Sequence, residues 1–108
     1  MRTRQRLDAR QLAELRTMLE EQREFRLDQL TALRRPNTRS LLGGTNREIA
    51  VALTVGAETA LGEVLAALRR MDDGNYGTCE QCGNAIDLER LEVLPQTAHC
   101  LPCQGGTR

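Results

Sequence analysis

The sequence predicts a mainly α protein: an antiparallel two-helix coiled-coil hairpin carrying a small C-terminal four-cysteine finger. Three observations predict it. All four cysteines fall in two C-x2-C pairs, Cys79-Glu80-Gln81-Cys82 and Cys100-Leu101-Pro102-Cys103, with seventeen residues between them. The chain ahead of Cys79 carries helical apolar periodicity in two long stretches. A single linker rich in breakers, residues 35–45, divides those stretches. The organisation read from these is an arm over 1–7, a hairpin over 8–74 and a zinc-finger unit over 75–108. Within the hairpin, helices are placed at about 8–34 and 46–73 on either side of the tip loop.

Composition supports helices and argues against a large core. Among 108 residues there is one Phe, one Tyr and no Trp, while 28% are charged. Aromatic burial dominates most cores, so a compact globular core is not expected. Net charge is zero but unevenly spread. Residues 1–47 hold eleven Arg against six acids, and residues 48–108 hold four Arg against nine acids. No run resembles the roughly twenty apolar residues of a membrane span. The basic start, Met1-Arg2-Thr3-Arg4-Gln5-Arg6, leads into no apolar segment and so does not read as a secretory signal. A cytoplasmic protein is expected, where paired cysteines more often bind metal than form disulfides.

Each helix has its own signals. Asp8-Ala9-Arg10-Gln11 fits a capping box that starts the first helix. Leu12, Leu15, Leu19, Phe25, Leu30 and Leu33 keep one side apolar, widened by Met18 and Leu27. Pro36 pushes Arg35 out of helical geometry and closes the helix near Arg34. Thr45-Asn46-Arg47-Glu48 is a second capping box. From there Ala50, Leu53, Ala57, Ala60, Val64, Ala67 and Met71 alternate at three and four residues, a coiled-coil seam. Ile49, Leu61, Leu65 and Leu68 broaden that apolar side. Gly56 and Gly62 lie inside the helix at a cost of about 1 kcal/mol each relative to Ala. Gly74 supplies the left-handed residue that ends it. An intramolecular hairpin, hence a monomer, is favoured over dimerisation through the broad apolar side.

The cysteine spacing reads as a tetrahedral zinc site with Cys79, Cys82, Cys100 and Cys103 as ligands. Two residues between thiolates let one tight turn aim both sulfurs at one ion. Gly83 permits the turn that brings amide groups to the sulfurs. Residues 85–95, closed by Pro95, form the apolar body of the finger. Four thiolates fill the shell, so one structural Zn2+ is expected and no catalytic one. No nucleophile–base pair is apparent, and an enzyme is not expected. His99 is read as an exposed neighbour of Cys100, not a ligand. The seventeen-residue gap also fits GATA-type DNA-binding fingers, but Glu80, Asp87, Glu89 and Glu92 face Arg90 alone. Phosphate contacts need clustered cations, so specific DNA binding is not expected.

Ala66-Ala67-Leu68-Arg69-Arg70-Met71, Gly74, Tyr76-Gly77, Cys79, Cys82-Gly83, Ile86, Arg90-Leu91, Pro95, Cys100 and Cys103 together resemble the DksA/TraR zinc-finger family. The resemblance covers roughly residues 64–103 and implies a bacterial transcription regulator that binds RNA polymerase directly, its coiled-coil tip entering the secondary channel. It also implies guanosine tetraphosphate as a cofactor of some members, for which no residue in this sequence calls. The family's tip motif, Asp-x-x-Asp-x-Ala, is replaced here by Thr45-Asn46-Arg47-Glu48-Ile49-Ala50. Arg34, Arg35, Arg39 and Arg47 make the tip basic. Arg35, Arg39, Thr45, Arg47, Glu48 and Ala50 are the tip residues expected to meet the polymerase. The competing reading is a zinc-stapled coiled-coil adaptor for another protein without polymerase binding. A weaker one is nucleic-acid binding through the Arg-rich arm and tip, which lack aromatic stacking partners.

Overall fold

Two long helices lie against each other, and the finger sits at their base. The computed structural model describes residues 7–35 and 47–104. In chain order the elements are α1 (Ala9–Leu33), α2 (Arg47–Asp73), α3 (Leu88–Val93) and α4 (Leu101–Gln104). Helices α1 and α2 pack together within one chain, as the hairpin reading predicts. The tip residues 36–46, including Arg39 and the Thr45 half of the second capping box, lie outside the described residues.

The start of α1 follows its sequence signal. The Asp8 carboxylate accepts from the Gln11 amide at 2.7 Å, and the Gln11 side chain accepts from the Asp8 amide at 2.9 Å. Two orphan donors of the first turn are thereby satisfied reciprocally. Gly74, at φ +85°, ends α2 in the left-handed region where a Cβ would be strained. The Asn75 amide donates back to the Arg70 carbonyl, closing the helix end.

The buried cluster is small but continuous from hairpin to finger. Leu15 and Leu19 of α1 join Val64, Ala67 and Leu68 of α2 and the finger's Tyr76, Cys79, Ile86 and Leu91 in one core. Toward the tip, among the described residues, only Leu30, Ala50 and Ala57 are buried, mostly small side chains. Few aromatics therefore did not prevent a shared core; Leu and Val pack where the finger thickens the base. Leu7, assigned by the sequence reading to the arm, belongs to this base. Its side chain packs on the core, 3.2 Å from where a Gly77 Cβ would stand.

Several seam assignments change. Phe25 is 59% exposed, with the Arg26 guanidinium carbon 5.2 Å from its ring centroid, and Leu27 is exposed as well. Leu53, Ile49 and Leu65 are also exposed. The apolar residues of each helix span more arc than one neighbouring helix can cover. A single partner buries a narrow stripe, and residues to either side stay in water. The membrane reading changes too. By length and composition α2 is apolar enough to cross a membrane, since only Glu58 and Glu63 carry charge between Glu48 and Arg69. That run is one helix of a hairpin here, its narrow seam packed on α1.

The division between buried and exposed apolar residues is measurable. Leu19→Ala should lower stability by about 3 kcal/mol through lost burial and a residual cavity. Phe25→Ala should change it by less than about 1 kcal/mol. Urea unfolding followed by far-UV circular dichroism distinguishes the two; similar losses would contradict the packing described.

Candidate metal centre

Backbone turns bring the four cysteines together. The Gly83 amide donates to the Cys79 carbonyl at 2.9 Å, and Gly83 takes φ +80°, so the chain reverses immediately after Cys82. The Cys79 amide donates to the Asn84 carbonyl at 2.8 Å, and the Ile86 amide to the Gly77 carbonyl at 2.8 Å. These bonds and the Thr78–Ala85 bridge make a tight two-stranded knuckle. Gly77, at φ +89°, lets the chain enter that knuckle directly beneath Leu7 and Leu91. The second pair rides on the first turn of α4, where the Gln104 amide returns to the Cys100 carbonyl at 2.9 Å. A further bond, from the Glu80 amide to the Ala98 carbonyl at 2.9 Å, ties the two knuckles together.

All four Sγ atoms lie within 4.8 Å of one another, and Cys82 and Cys100 approach to 3.6 Å. Zinc with Zn–S bonds of about 2.3 Å holds its sulfurs roughly 3.8 Å apart at tetrahedral corners. The cluster fits that ion. The thiols also differ in acidity. Burial pushes the Cys79 thiol up, but backbone amides of Cys100, Cys82 and Gln81 outweigh it and bring it down to about 6. Cys103 is pushed up to about 12, chiefly by its sulfur neighbour Cys100. Four sulfurs this close cannot all be thiolates without a cation among them, so one ionises readily and another holds its proton. A divalent ion removes that conflict.

His99 stays out of the cluster, as the sequence reading holds. It is half-buried, not exposed, and its carbonyl accepts from Arg90 Nε at 3.1 Å. Of the tip residues, Arg35 is exposed at the end of α1, and Arg47 and Glu48 are exposed on the first turn of α2. Ala50 is 8% exposed and its methyl belongs to the helix interface, so it offers no surface to a partner. Arg34 is drawn away from the tip to Glu58, 3.2 Å away. Arg39 and Thr45 lie outside the described residues.

Two residues that the sequence offers only as part of a motif fix the finger to the hairpin. Arg70, buried near the end of α2, donates to the carbonyls of Gln96 and Thr97 at 3.3 and 3.2 Å. It also faces Glu80 between the first two cysteines at 3.6 Å. Tyr76 donates its hydroxyl to the Pro95 carbonyl at 2.7 Å. Neither role has a sequence signal, because Arg70 reads as a solvated helix cation and Tyr76 as a lead-in to the knuckle.

Burial pushes the Tyr76 phenol up to about 12, with Arg70 pulling partly in the other direction. In the unfolded chain a tyrosine ionises near pH 10. Between about pH 10 and 12 the unfolded state releases a proton that the folded state keeps. Stability should therefore fall as pH rises through that window, by on the order of 1–2 kcal/mol. Tyr76→Phe should remove that alkaline slope while costing about 1 kcal/mol at neutral pH. Denaturant midpoints at pH 8, 10 and 11.5 for both proteins test this; parallel slopes would refute it.

The finger is matched, over residues 74–107, by the model of the prokaryotic DksA/TraR C4-type zinc finger. General stress protein 16O of Bacillus subtilis is 54% identical over 35 residues, which cover 32% of this chain and 22% of that protein. The RNA polymerase-binding transcription factor DksA of Caulobacter vibrioides is 47% identical over 38 residues, covering 35% of this chain and 27% of that factor. These matches thus span less than a third of either curated relative. Likeness in three dimensions reaches further. The structure of transcription factor DksA2 from Pseudomonas aeruginosa superposes with a TM-score of 0.67 at 26% identity, covering 91% of this chain and 83% of that one. Residues 74–107 thus match the finger of the DksA/TraR type in sequence, and the chain as a whole is similar in fold to a DksA-type factor.

Proposed function

We propose that this chain is a transcription regulator that binds RNA polymerase directly, inserting the hairpin tip into the secondary channel. The observation that carries the reading is similarity to a DksA-type factor across 91% of the chain, which takes in the hairpin as well as the finger. In this reading Cys79, Cys82, Cys100 and Cys103 hold one structural zinc, and the protein is not itself an enzyme. The finger secures the base, and α1, at about 1.5 Å per residue, sets the tip nearly 40 Å away. Arg35, Arg39, Thr45, Arg47 and Glu48 are the contacts, acting in the bacterial cytoplasm where polymerase works. Thr45 and Glu48 stand where the family carries aspartates, and Arg35, Arg39 and Arg47 around them make the tip basic, so it attracts anionic groups in the channel. Guanosine tetraphosphate has no identified site on this chain, and no specific DNA contact is assigned.

An adaptor role without polymerase is the second reading. The apolar flank of α2, with Val51 and Val55 more than half exposed, favours it.

Two measurements test the proposal. A photocrosslinker at position 39 should label core RNA polymerase at near-physiological salt, and deletion of residues 36–44 should abolish co-purification. No binding at that salt would refute the polymerase reading and favour the adaptor. For the metal, the purified protein should carry one zinc per chain. Cys79→Ser or Cys103→Ser should lower the content severalfold and unfold the finger, since structural zinc contributes on the order of 10 kcal/mol to folding such a unit.

A further inference from the structure

The backbone that leads into the second cysteine pair is neither helix nor strand, yet each carbonyl over residues 95–99 has a donor. Pro95 accepts from the Tyr76 hydroxyl at 2.7 Å, and Gln96 and Thr97 accept from Arg70 Nη2 at 3.3 and 3.2 Å. Ala98 accepts from the Glu80 amide at 2.9 Å, and His99 from Arg90 Nε at 3.1 Å. Thr97 Oγ1 adds a local bond to the His99 carbonyl at 3.2 Å. The other donors come from α2, from the first knuckle with its lead-in, and from α3. Irregular backbone must find its hydrogen-bond partners elsewhere, and those partners then set its course. Helix α4, at four residues, is too short to place Cys100 and Cys103 unaided.

Among these side-chain donors Arg90 stands nearest in sequence to the second pair. It holds the carbonyl of the peptide bond that joins His99 to Cys100. It is also the one Lys or Arg between Cys79 and Cys103, against four carboxylates in that span. Arg70 has Glu80 at 3.6 Å, whereas among the described residues no carboxylate pairs with Arg90. Four thiolates around a divalent ion carry a net charge of about −2, and a neighbouring cation offsets part of it.

We propose that Arg90 is a positioning residue of the metal centre. By holding the His99 carbonyl it sets where Cys100 and Cys103 meet Cys79 and Cys82, and its charge lowers the cost of gathering four thiolates there. It acts through backbone and is not itself a ligand. The role rests on the zinc reading of the four cysteines and is independent of polymerase binding.

Two readouts on the full-length protein test it. In equilibrium competition with a chromogenic zinc chelator, Arg90→Gln should raise the zinc dissociation constant about tenfold to a hundredfold, the usual effect of removing a group that supports a metal ligand. Arg90→Lys keeps the cation and one donor and should recover most of that loss. Cobalt substitution then separates positioning from general stability. The visible bands of Co2+ follow ligand geometry, and a variant that is merely less stable keeps the wild-type bands once saturated. Those of saturated Arg90→Gln should move, and those of Arg90→Lys should return toward wild type. A wild-type protein that retains no zinc would overturn the zinc reading and this role together. Zinc binding unchanged in Arg90→Gln, or weakened with the cobalt bands unmoved, would overturn the positioning role alone.

Discussion

The joint between finger and hairpin is the interaction on which the remainder of the molecule depends. Two helices alone enclose little, and the distal half of this pair is sealed mainly by Ala50, Ala57 and Leu30. At the base the finger adds Tyr76, Ile86 and Leu91 to Leu15, Leu19 and Val64, converting a seam into a three-sided core. Polar contacts then fix the orientation. Arg70 reaches two carbonyls before the second knuckle and Glu80 within the first, so one guanidinium touches both halves of the finger. A buried guanidinium is tolerated because its donors find acceptors there.

The cysteine cluster depends on the same joint. Cys79 is the most buried of the four and belongs to the core cluster, whereas Cys82 is exposed. The site is thus anchored from within through its first sulfur and completed from outside by the other three. Metal and core support each other: packing brings the knuckles close, and an ion resolves the repulsion among four sulfurs that packing has gathered.

Features encoded within a few residues were legible in the sequence. The Asp8–Gln11 box, the glycine at the end of α2 and the pairing of the cysteines depend on chemistry two to four residues apart, and the structure contains all three. Features set by what lies across the molecule were not. Phe25 and Leu53 fit a helical apolar pattern as well as Leu30 does, but only Leu30 faces the neighbouring helix closely enough to be buried. Arg70 resembles Arg69 in sequence, yet one turns into the finger and the other into water. Leu7 precedes every helical signal and still reaches the base through space left by Gly77. Hydrophobic periodicity identifies candidate faces; the partner decides which residues are used.

The narrowing of the core from base to tip has a dynamic consequence. Local opening requires less free energy where little apolar surface is buried. The free energy needed to expose a backbone amide therefore rises along the helix pair, from the turns beside Ala50 to those beside Leu19 and Val64. The base is the stiff root that fixes the direction in which the two helices run.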